Sequence, residues 1–77
     1  MKVVVYGTGC KSCKRLYKSV LDAIANNDIN AEVIYETNLD TIISKGIMQT
    51  PALEIDDRMV SKGKVLKEKE VLAFLKQ

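Results

Sequence analysis

The sequence contains no histidine, a single proline and only two cysteines, and each shortage removes a class of explanation. A structural zinc site normally takes four nitrogen or sulfur ligands. With two cysteines and no histidine, this chain reaches that number only by pairing with a second copy or by recruiting carboxylates. No apolar run approaches the roughly 18 residues that a bilayer-spanning helix needs. The opening Met1-Lys2-Val3-Val4-Val5-Tyr6 places apolar residues after a charge, but Gly7 cuts the run short of the roughly 7 to 15 residues of a secretory signal core. The chain is therefore expected to fold where it is made, in the reducing cytoplasm. Its net charge of +2, with the two signs interspersed, gives no case for nucleic acid or a membrane surface as partner. Linkers, internal repeats and low-complexity stretches are lacking too. A length of 77 residues suffices for one hydrophobic core and no more, so residues 1–77 are read as one domain and as a monomer.

What is present has the proportions of an ordinary globular protein, 47% hydrophobic and 29% charged. Residues 2–6 read as a strand whose continuous valines suit burial on both faces, which marks the centre of a sheet. From Cys10 to about Asn27 the period becomes helical, with Cys13, Leu16, Tyr17, Val20, Leu21 and Ile24 forming the apolar stripe. Residues 31–36 return to a strand in which Val33 and Tyr35 alternate against Glu32, Ile34 and Glu36. Strand, helix and strand in succession imply a right-handed parallel crossover. Thr37 or Asn38 can cap a short second helix with Leu39, Ile42 and Ile43 on its apolar face, and Gly46 ends it. Pro51 opens a strand to Asp56, Asp56-Asp57-Arg58 turns the chain, and a short partner strand ends at residues 58–61 before the polar connector 61–64. Val71, Leu72, Phe74 and Leu75 make the apolar face of a last helix. The order is βαβαββα.

Chemistry concentrates at Cys10-Lys11-Ser12-Cys13. Helical phase starts the buried stripe at Cys13 and leaves Cys10 at the first turn, where backbone N–H groups lack partners inside the helix. A thiolate at Cys10 is favoured by those groups and by the positive end of the helix dipole, and Lys11, Lys14, Arg15 and Lys18 lie close in sequence. A second thiol one turn away can close a disulfide and so resolve a mixed disulfide formed at Cys10. A purely structural role is poorly served, because so short a loop removes little entropy from the unfolded chain. The bland reading of the basic helix face is a solvated one, although it could also attract acidic clients at low salt.

Gly7-Thr8-Gly9-Cys10-Lys11-Ser12-Cys13 follows a valine-rich strand, and Gly46-Ile47-Met48-Gln49-Thr50-Pro51-Ala52-Leu53 leads into the third. With the hairpin region from Asp57 to Gly63, these motifs make the chain resemble, essentially end to end, the small thioredoxin-fold, glutaredoxin-like redox-active disulfide proteins. The resemblance implies an α/β, thioredoxin-like fold with a four-stranded mixed sheet and three helices. It implies thiol–disulfide exchange with Cys10 as attacking thiolate and Cys13 as resolving thiol, and no cofactor beyond the Cys10–Cys13 disulfide. It implies a cis Thr50–Pro51 bond beside that disulfide, with the Thr50 backbone pairing to an extended client segment. Partners would be client disulfide proteins and a reductase or low-molecular-weight thiol as electron donor. Without the cysteines, Pro51 would read simply as the first residue of a strand, where proline is tolerated.

The chain departs from that pattern in two respects. Lys11 and Ser12 stand where related proteins carry proline or Gly-Pro; a cation at Lys11 should favour the reduced form and make the disulfide more oxidising. Thioredoxins also bury an acid near the disulfide; Glu54, a carboxylate within a predicted strand, is read here as a charge on a face that so small a fold leaves uncovered. Tyr6 and Tyr17 are read as core, and Met48 as packing or an adaptable apolar contact for clients. The competing function is a soft-metal carrier that binds copper(I) through the same two thiolates. Copper chaperone domains place CxxC similarly but resemble βαββαβ, usually with methionine two residues before the first cysteine, where this chain has Thr8.

Overall fold

The five residues Lys2–Tyr6 form strand β1, whose last four side chains are all buried, as a continuous apolar run requires at the centre of a sheet. The computed structural model describes residues 1–77. After β1 come helix α1 (Lys11–Asn26), strand β2 (Glu32–Glu36), helix α2 (Leu39–Ser44), strands β3 (Ala52–Ile55) and β4 (Arg58–Lys62), and helix α3 (Glu68–Leu75). The sheet order is β2-β1-β3-β4. Strand β1 runs parallel to β2 and antiparallel to β3, and β3 and β4 form an antiparallel hairpin. This is the mixed α/β, thioredoxin-like architecture that the motifs imply.

Alternation along β1 and β3 divides the interior in two. Val3, Val5, Leu53 and Ile55 face α1 and α3, where they meet Leu16, Val20, Ala23, Val71 and Leu75. Val4, Tyr6 and Ala52 face the other way, against Ile42 and Ile47. Each fully buried valine or leucine contributes about 1.5–3 kcal/mol, so the larger cluster supplies most of the stability. Leu66, before α3, joins it, although nothing periodic in the sequence marks that residue.

Local rules set the turns. Asp56 and Asp57 have φ of 48° and 67°, the two positive values that a tight two-residue hairpin demands and that aspartate tolerates. Asp56 also accepts from the Lys2 N–H through its carboxylate at 2.8 Å and donates its own N–H to Lys2 C=O at 2.8 Å, which ties the hairpin to β1. Asn38 caps α2, its Oδ1 accepting from Thr41 N–H at 3.1 Å.

Several sequence expectations are corrected. On α1 the stripe against the sheet is Cys13, Leu16, Val20 and Ala23; Leu21 is exposed because the helix is rotated to place Tyr17 and Ile24 at the margins. Helix α2 has only six residues and docks through Ile42 alone, leaving Leu39 and Ile43 exposed. Strand β4 continues through Ser61 and Lys62, paired with Leu53 and Ala52, because an edge ladder is held by backbone groups and does not require apolar side chains.

Glu54 is the largest correction. It is 5% exposed, covered on the α2 face of the sheet, where its carboxylate accepts from the Tyr6 hydroxyl and from Lys45 Nζ at 3.4 Å. Burial, followed by the neighbouring Glu54, pushes the Tyr6 hydroxyl pKa up, so Tyr6 serves as a fixed donor. Tyr6→Phe should therefore destabilise the fold by about 1–2 kcal/mol, since it leaves a buried carboxylate oxygen without its donor. Tyr6→Phe combined with Glu54→Val should recover parental stability or exceed it, as apolar replacements of buried ionic groups often do. Denaturant midpoints check this; an unchanged midpoint for Tyr6→Phe would show that the hydrogen bond contributes nothing.

Candidate active site

The chain leaves the central strand at Tyr6 and enters α1 at Lys11, and the four residues between them build the site. Gly7 is buried, and a Cβ there would lie 2.7 Å from Cys13 Cβ, 2.9 Å from Cys13 Sγ and 2.9 Å from Tyr35 Cε1. Only glycine lets the backbone pass this close beneath the cysteine. Gly9 has φ of 85°, a left-handed conformation that favours glycine for a different reason.

Cys10 is the N-cap of α1. Its sulfur accepts from Cys13 N–H at 3.4 Å, a task that serine, threonine, asparagine or aspartate usually performs. No carboxylate occupies the first turn, so the sulfur is the anionic candidate nearest the unpaired N–H groups there. Cys10 is exposed and Cys13 buried, both as free thiols, and their sulfurs are 2.8 Å apart, beyond the covalent S–S length of about 2.05 Å. Lys11 is exposed at the first position of the helix.

Burial works against a charge on Cys13, but hydrogen bonding from the Cys10 thiol, the Thr8 backbone, the Thr50 side chain and the Cys10 backbone outweighs it, so its pKa is lowered. Because the two sulfurs share a hydrogen bond, that ionisation belongs to the pair. By sequence the readily ionised thiol is Cys10; in the structure the favoured ionisation is at Cys13, and access is what separates the two sulfurs. A Cys13 thiol that ionises below the usual thiol range in the folded protein adds stability to the reduced chain. That contribution is fully present above the range and is lost as pH falls through the folded value.

Across from the cysteines, the Thr50–Pro51 bond is cis. Pro51 is buried, its carbonyl accepting from Gly63 N–H at 2.7 Å. Thr50 lies outside the helices and strands, and neither its N–H nor its C=O makes a backbone hydrogen bond. Thr50, far from the cysteines in sequence, is thus brought beside Cys13. Met48, close to Thr50 in sequence, is 94% exposed, which excludes packing as its role.

Tyr35 is the site residue that sequence reasoning missed. Its hydroxyl accepts from Gly9 N–H at 3.2 Å, and its ring stacks on Tyr17 with centroids 5.0 Å apart. The usable signal was strand phase: Tyr35 alternates with Ile34 and so falls on the α1 side, paired in register with Val5 two residues before Gly7. No group of three or more cysteine, aspartate or glutamate residues is placed to hold a metal ion.

The family model for the thioredoxin domain matches residues 1–76. A thioredoxin of Methanothermobacter thermautotrophicus is 32% identical over 75 residues, covering 97% of this chain and 97% of the relative. A thioredoxin of Methanocaldococcus jannaschii is 32% identical over 72 residues, covering 94% of this chain and 83% of the relative. A buried strand delivering a CxxC pair to a helix start, opposite a Thr-Pro segment and within a chain matched end to end, places this protein in the thioredoxin family of thiol–disulfide oxidoreductases.

Proposed function

We propose that the protein reduces or exchanges client disulfides with Cys10 as the attacking thiolate and Cys13 as the resolving thiol. The observation that carries this reading is the difference in access between two sulfurs 2.8 Å apart, one exposed and one buried. Only the Cys10 sulfur is open to a client. The Cys10 thiolate attacks one sulfur of the client disulfide, the other client sulfur leaves as a thiolate, and a mixed disulfide results. Cys13 then attacks Cys10 Sγ, and the Cys10–Cys13 bond forms as the client is released with both of its thiols. The unpaired backbone of Thr50 supports the pairing of an extended client segment beside the cysteines. An external two-electron donor, either a reductase or two equivalents of a low-molecular-weight thiol, returns the protein to its reduced form. Clients are disulfide-bearing proteins with an accessible bond in an extended segment.

Lys11 adds a cation beside the N-cap and so favours the reduced pair. It is exposed, so its effect is small: Lys11→Ala should make the disulfide more reducing by no more than about 20 mV. Equilibration of parent and variant in glutathione redox buffers measures both the exchange and this shift, and titration with copper(I) against a competing chelator runs alongside. Reversible formation of one intramolecular disulfide per chain is expected. Tight copper(I) binding without exchange would transfer the site to the soft-metal carrier reading, and identical potentials would remove Lys11 from the tuning residues.

A further inference from the structure

Resolution sets a problem that the reduced pair does not face. In the reduced protein, Cys13 is hydrogen-bonded to Cys10 at 2.8 Å. Once Cys10 is bonded to a client sulfur it has no thiol proton to donate, and Cys13 must ionise where it is 0% exposed. Burial then opposes the charge.

One side chain is placed to answer this. The Tyr35 ring and Cys13 Sγ crowd the same point above Gly7, each 2.9 Å from where a Cβ would stand. The ring is held from the other side by Tyr17, at 5.0 Å and 22°. The hydroxyl accepts from Gly9 N–H at 3.2 Å, and what it retains to offer is its own proton.

We infer that Tyr35 is the positioning residue of the resolving step, its hydroxyl donating a hydrogen bond to the Cys13 thiolate as that sulfur attacks the mixed disulfide on Cys10. This rests on the exchange reading above. Burial, and then the charges on Cys13 and Cys10, hold the Tyr35 hydroxyl pKa above its ordinary value, so it stays protonated and acts as a donor, not a base. Those two thiols are the titratable groups facing the hydroxyl, Cys10 at the end of the loop and Cys13 on α1; Tyr17, also on α1, meets the ring. In the step itself the Cys13 proton passes to solvent, the Cys10–Cys13 bond forms, and the bond from Cys10 to the client breaks. The client sulfur leaves with the electron pair and is protonated by water. The client disulfide is reduced by two electrons, the protein dithiol is oxidised, and Tyr35 keeps its proton throughout.

Rapid mixing of the reduced protein with a chromogenic aryl disulfide separates the two steps, because one aryl thiolate is released as the mixed disulfide forms and a second as Cys13 resolves it. Tyr35→Phe keeps the ring and loses only the hydroxyl. The first release should match the parent within about twofold, while the second slows about three- to tenfold. That range follows from the thiolate fraction lost with one charge-assisted hydrogen bond, offset in part by higher nucleophilicity. The pH profile of the second release should also move to higher pH. A second release with parental rate and profile overturns the inference, as does an equal slowing of both steps, which would mark Tyr35 as packing only. If the parent gives no first release, the exchange reading fails and takes this inference with it.

Discussion

Cys10→Ser is expected to lower disulfide exchange to background, a loss on the order of a thousandfold or more, whereas Cys13→Ser should leave the first step intact and accumulate a mixed disulfide. The two sulfurs are only 2.8 Å apart and sit on the same turn, so chemistry alone does not separate them. Access does. Cys10 ends a loop at the exposed start of α1, and Cys13 lies under the sheet against Gly7. A client disulfide reaches the first and not the second. Incubating each variant with a disulfide-bonded peptide, followed by mass measurement without reductant, gives the comparison directly. A covalent adduct on Cys13 in the Cys10→Ser protein, with none on Cys10 in the Cys13→Ser protein, would reverse the roles. Equal turnover by all three proteins would remove the cysteines from the reaction.

Gly7→Ala should cost about 3 kcal/mol of stability, the upper end of the usual range for overpacking, and should impair exchange beyond what the lost stability explains. The added methyl would meet three atoms inside 3.0 Å, two of them on Cys13 and one on the Tyr35 ring. Neither neighbour can yield easily. Cys13 is fixed in the first turn of α1, and Tyr35 is clamped between Tyr17 and Gly9 N–H. For a chain of this size, whose net stability is only about 3–5 kcal/mol, such a loss would leave much of the population unfolded at ambient temperature. Denaturant unfolding of the reduced protein tests the first claim. Gly9→Ala is the informative comparison, because a Cβ there meets nothing within 4 Å and only the positive φ is penalised, at about 1 kcal/mol. If the two variants lose equal stability, close approach at Gly7 is not what constrains that position.

Much of this architecture is legible without coordinates because it is local. The valines of β1 identify a central strand, since a run without polar alternation can be solvated on neither face, and all of Val3, Val4 and Val5 are buried as that requires. The helical period starting at Cys13 separates the buried thiol from the exposed one. Asn38, Gly46 and the Asp56-Asp57 pair mark a cap, a helix end and a turn through their own backbone preferences. Where local signals mislead, the cause is the extent of cover. Leu39 and Ile43 satisfy the helical pattern but lie beyond the reach of a six-residue helix that docks through one side chain.

The sequence by itself thus determined the order of elements and which of Cys10 and Cys13 is buried, because helical phase and strand alternation act over a few residues. Only the tertiary structure decided the rest. Tyr6 reaches Glu54 across a separation of 48 residues, and Gly9 reaches Tyr35 across 26; both pairings depend on strand register and sheet order, which no local pattern encodes. The same holds for Thr50, whose place beside Cys13 exists only because β3 returns antiparallel to β1. Gly7, which ends the apolar run of β1, is the point where helix, strand and tyrosine meet, because close packing is a property of three segments at once and of none of them alone.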